Sequence, residues 1–167
     1  GRPLSMAKRT KTLVGLDIDA TGIVAASVTV NGRIRVEQAA AMPLEPGIIR
    51  DGEVADVDGL ANGLRALYKA NKGLDKRVRV GLANQKIVVR VVDLPYLEDA
   101  KELEAAVRFQ AQDQLPMPLE HAVLDHQALE VVNDDSTGRR QRVLLVAARR
   151  EMVERVLAAL RSAGLKP

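Results

Sequence analysis

The chain has 167 residues, 47% hydrophobic and 28% charged, with a net charge of +3. That balance excludes a disordered chain, and so small a charge makes no case for a nucleic-acid partner. The absence of cysteine excludes disulfides and thiolate zinc sites and suits a reducing cytoplasm.

No apolar run approaches the length of a membrane span, and no secretory signal is present. Aromatics are limited to Tyr68, Tyr96 and Phe109, so the core must be aliphatic and there is little stacking surface for single-stranded nucleic acid.

Gly1 to Ser5, before Met6, read as a vector remnant (residues 1–5). Lys8, Arg9 and Lys11 form a short basic lead, read as a solvated terminus in preference to a weak attraction to anionic membrane. LVGLDIDATGIVAASVTVNGRIRVEQAAAMPL then predicts three antiparallel strands, with turns at Thr21-Gly22 and Asn31-Gly32. Pro46-Gly47 opens a loop. Asp56 or Asp58 caps a helix whose stripe holds Leu60, Leu64 and Leu67, and Gly73 ends it. Val78 to Ala83 is the next strand. These elements make an α/β unit with a mixed sheet.

The pattern changes near Gln85–Ile87 to strand, helix, strand, strand and closing helix. IVVRVVDLP is a β-branched strand bounded by Pro95. In the helix that follows, Leu103, Ala106, Val107, Ala111 and Leu115 share one face, acidic residues fill the first turns, and Pro116 and Pro118 stop it. AVLDHQALEVV and RQRVLLVAARR are strands joined by the polar loop NDDSTGRR. EMVERVLAALRSAG closes the chain as a helix that buries Met152, Val153, Val156, Leu157 and Leu160, capped by Gly164. Two lobes follow, the later one expected to be the more stable. The earlier lobe has an open sheet edge, which predicts a homodimer or an exchanged element.

Three places are candidates for chemistry or binding. Asp17-Ile18-Asp19-Ala20-Thr21-Gly22 puts a carboxylate at a strand end ahead of exposed amides, an arrangement that can hold metal-bound phosphate. The alternative is a hairpin turn whose Asp bonds its own backbone. His121 and His126 lie an odd number of residues apart, so on one strand they face opposite sides and share no metal. Phe109 lies off the core stripe, near Glu102, Ala105 and Gln112. It either packs against a neighbouring domain or anchors a partner peptide in a groove.

The runs VGLDIDATGIVAASV, PGIIRDGEVADVDGLANGLRAL and IVVRVVDLPYLEDAKELEAAVRFQAQDQLPMPLEHAVLDHQAL resemble the PilM family of type IV pilus assembly proteins. That family is FtsA-like and belongs to the actin-like ATPase superfamily. The resemblance implies an α/β (α+β) fold. Residues 6–85 would form half of an actin-like (RNase H-like) subdomain 1A. Residues 86–167 would form a 1C subdomain of SHS2 type, strand-helix-strand-strand-helix. It further implies a cytoplasmic scaffold at the inner membrane that grips the N-terminal cytoplasmic peptide of a PilN-like protein between 1A and 1C. On that reading Val88, Arg90, Val92, Glu102, Ala105, Phe109 and Gln112 bind the partner, and the pilus motor ATPases are further partners. The rival function is an actin-like ATPase, and the platform protein of type II secretion is a further alternative.

In the family the phosphate turn has Gly and a small hydroxyl residue where this chain has Asp19 and Ala20, and often Lys at Val24. Asp17, Asp19, Ala20, Thr21 and Gly22 would thus be a degenerate phosphate turn. The family is about twice this length, with the second phosphate loop and the adenosine pocket in the remainder. The resemblance therefore implies no catalytic residue and no cofactor in this stretch, and leaves ATP and Mg to the full-length protein.

Overall fold

The computed structural model describes residues 11–82 and 87–167. The vector-remnant assignment, Lys8, Arg9 and the expected lobe boundary at 85/86 lie outside the described residues. The elements run β1 (Lys11–Ile18), β2 (Gly22–Val30), β3 (Ile34–Pro43), β4 (Ile49–Arg50), β5 (Glu53–Val54), α1 (Val57–Ala70), β6 (Val78–Leu82), β7 (Val88–Pro95), α2 (Ala100–Gln114), a 3-10 turn (Leu119–His121), β8 (Ala122–Asp134), β9 (Gly138–Arg149) and α3 (Arg150–Ser162). They divide into two compact units, one of residues 11–82 with Arg155–Pro167 and one of residues 87–154.

The first unit has a four-stranded sheet in the order β3-β2-β1-β6, with β1 antiparallel to β2 and parallel to β6. Alternation turns Val14, Leu16 and Ile18 of β1 and Ile23 and Ala25 of β2 to one face. Leu60, Leu64 and Leu67 of α1 cover that face, as do Val156, Ala159 and Leu160 of α3. Each of the leucines among these contributes about 1.5–3 kcal/mol by leaving water. The Asp56 side chain accepts the Gly59 N–H at the start of α1, and Asn71, ahead of the expected Gly73, ends it. Gly59 and Gly63 let the 44–48 segment lie against this helix. A Cβ at Gly63 would come within 2.6 Å of Leu44 Cδ2, and one at Gly59 within 2.9 Å of Ile48 Cγ1.

Two local features differ from the sequence expectation. The Asn31-Gly32 hairpin closes with Val30 paired to Ile34, so its loop holds three residues, Asn31, Gly32 and Arg33, where two were expected. The short β4–β5 hairpin turns on Asp51 (φ 51°) and Gly52 (φ 74°). Two positive φ values in succession define the turn that Asp-Gly favours.

The second unit realises the expected strand–helix–strand–strand order, with a three-stranded antiparallel sheet β7-β9-β8. Val92 and Leu94 of β7 and Val143 and Leu145 of β9 pack against Val107 and Ala111 of α2. Asp99 caps α2 by accepting the Lys101 N–H.

The closing helix is a correction to the expected division at 86–167. Val156, Ala159, Leu160 and Leu165 complete the core of the first unit. Arg65 of α1 donates to the Ser162 carbonyl (2.8 Å), and Arg155 donates to the Val54 carbonyl (2.8 Å). The first unit therefore holds the larger core.

Candidate functional site

The expected phosphate turn joins β1 to β2. The Asp19 N–H donates to the Gly22 carbonyl at 3.0 Å and closes the turn. The Asp19 carboxylate points back into it, where one oxygen, Oδ1, accepts from Thr21 Oγ1 (2.6 Å), the Thr21 N–H (2.8 Å) and the Gly22 N–H (3.1 Å). These bonds, that from the Thr21 hydroxyl first, hold its pKa below the ordinary carboxylate value. The amides a phosphate would use are thus already bound to the chain's own anion. The turn does not fit a phosphate group. Of the two readings of this stretch, the geometry is that of an Asp bonding its own backbone.

Asp17 lies on the sheet face away from the core, in register with Val24 and Gly81. Ala20 is exposed at the turn. Gly22 has a packing reason to be glycine, since a Cβ there would stand 2.5 Å from the Met42 carbonyl oxygen of β3.

The expected partner-binding residues do not form one surface. Val92 is 5% exposed and lies in the core of the second unit. Val88 and Arg90 share its side of β7, half-buried and exposed respectively. The exposed valines of this strand are Val89 (51%) and Val91 (61%), on the opposite face of the sheet. Both parities of VVRVV are apolar, so alternation alone does not say which turns inward. Register does, because Val92 pairs with buried Val143 and Val91 pairs with half-buried Leu144.

Glu102, Ala105, Phe109 and Gln112 do come together, as an exposed strip along α2 opposite its core stripe. The Phe109 ring is 72% exposed. The helix itself separates this strip from Val92 beneath it.

His121 falls in the 3-10 turn and His126 on β8, so they do not share a strand as assumed. Among the described residues no three metal-ligating side chains converge, and no helix is long and apolar enough to cross a membrane. A cleft of about 740 Å³ opens in the first unit between the segment around Leu44–Ile48 and α1. None of the residues expected to bind nucleotide or partner lines it.

With these geometries in view, comparison with known proteins places the fold. A solved PilM–PilN type IV pilus biogenesis complex contains a chain 33% identical to this one, with a TM-score of 0.81 over 93% of this chain and 45% of that one. The fold is thus a mixed α/β portion of the actin-like kind, and this chain spans less than half of the relative it matches. A family model described as type IV pilus assembly protein PilM matches residues 15–167, and the chain belongs to that family.

Proposed function

We propose that this chain is part of a non-catalytic scaffold of the type IV pilus inner-membrane assembly complex, and that it binds the N-terminal cytoplasmic peptide of a PilN-like membrane protein. The observation that carries this reading is the match, at 33% identity over 93% of the chain, to a protein from a PilM–PilN complex. The exposed Phe109 strip supports it, since a buried aromatic anchor commonly supplies a large share of peptide binding and this ring has no place in its own core. On this reading the protein sits at the cytoplasmic face of the inner membrane, held there by its partner, and takes part in communication with the motor ATPases.

The same proposal assigns no nucleotide chemistry to this stretch. Asp19 occupies the amides of the one turn that resembles a phosphate loop, and its charge opposes a second anion. Titration calorimetry with ATP and Mg on this chain is expected to give no measurable heat of binding. Micromolar affinity would revive the ATPase reading.

The test of the partner reading is binding of a PilN-like N-terminal peptide to the parent chain and to Phe109→Ala. Loss of about 2 kcal/mol of binding with an unchanged melting temperature is the expected result. Undiminished binding by the variant would remove Phe109 from the interface.

A further inference from the structure

Phe109 does not stand alone on its strip. Glu102, two turns earlier, and Asp113, one turn later, fall within about 40° of it around the helix, and both are exposed. Among the described residues neither carboxylate is in an ion pair. Ala105 and Gln112 flank the ring on the other side and leave it clear. The basic side chains of this helix, Lys101 and Arg108, lie farther round, beyond Ala105 and Gln112. Across residues 87–154 acidic side chains outnumber basic ones, whereas basic ones are in excess in the first unit.

A ring bracketed by carboxylates favours one kind of occupant. An anionic lipid surface meets two like charges. A second copy docking through the same strip brings two more carboxylates against the first two. A cation over the ring face is attracted by the ring's quadrupole and by the flanking carboxylates together. An apolar side chain beside that cation removes the ring from water.

We propose that the Phe109 strip of α2 docks a basic segment of a protein partner, in which an apolar anchor sits beside Lys or Arg side chains, one pairing with Asp113 and another with Glu102. That the segment belongs to the PilN-like protein rests on the function proposed above, whereas its charge rests on α2 itself.

The test uses two fluorescent amphipathic peptides with the same leucine face, one carrying Lys and the other Glu on its flanks, with anisotropy measured at low and high salt. The Lys peptide is expected to bind, to weaken about tenfold as salt approaches ~1 M and screening shortens to ~3 Å, and to lose binding to Phe109→Ala. The double variant Glu102→Lys/Asp113→Lys, with an unchanged melting temperature, is expected to reverse the preference toward the Glu peptide. Equal binding of the two peptides, or indifference to the charge reversal, overturns the inference. The PilN-like N-terminal peptide, added as competitor, separates the two claims. If it fails to displace a bound Lys peptide, the basic-segment inference stands and the PilN-like assignment falls. If it binds yet ignores both salt and charge reversal, the assignment stands and the inference falls.

Discussion

Asp19 and Asp134 use the same local device in the two units. Asp134 accepts from the Ser136 N–H (2.8 Å) and hydroxyl (2.7 Å), as Asp19 does from Thr21. The Ser136 bonds lower the Asp134 pKa to about 2. A carboxylate whose folded pKa lies below its unfolded value of about 3.9 stabilises the fold above that value. Its contribution then fades as pH falls through about 2. Asp134→Asn is therefore expected to melt below the parent at pH 7, with the gap closing as pH falls toward about 2. Thermal unfolding at both pH values checks this, and a gap that persists in acid would show that the carboxylate charge is not the cause.

Glycines set the fit between elements. Gly22→Ala would drive a Cβ into the Met42 carbonyl of the paired strand at 2.5 Å, where only backbone can yield. Its expected cost is on the order of 2 kcal/mol, read as a fall in melting temperature; a neutral result would mean that β3 moves freely. The helices were legible in the sequence because Leu60, Leu64 and Leu67, and Val107 with Ala111, repeat at helical spacing and are buried. The β4–β5 hairpin was missed although Asp51-Gly52 signals it, because two-residue strands show no periodicity. The exposed strip on α2 was legible because Phe109 falls off the apolar stripe. Its supposed continuation on β7 was not, because valines stand on both faces of VVRVV and hide the inward one until register is known. The role of Asp19 lies in a hydrogen bond to Thr21 that residue types suggest but only geometry decides.

At the scale of the molecule, sequence order misled on membership. The closing helix follows β9 directly, yet from Arg155 onward it supplies the other unit. Adjacency in sequence says which elements meet first, not which apolar stripe a helix fills. Leu160→Ala is expected to cost about 3 kcal/mol. In hydrogen exchange that loss should appear as faster exchange in β1 and β2, with β9 spared. Faster exchange confined to β8 and β9 would return this helix to the second unit.

A ribosome delivers these pieces in an awkward order. Arg65 emerges 97 residues before its acceptor Ser162, a wait of roughly 5–20 s at ordinary rates of elongation. For most of that interval β1, β2, α1 and β6 are present while Leu160 is not. Residues 87–154 form an uninterrupted stretch and are complete before the first core is. The insert is thus expected to fold first and its host last. The nascent species that chaperones meet is a sheet with Leu60, Leu64 and Leu67 only partly covered.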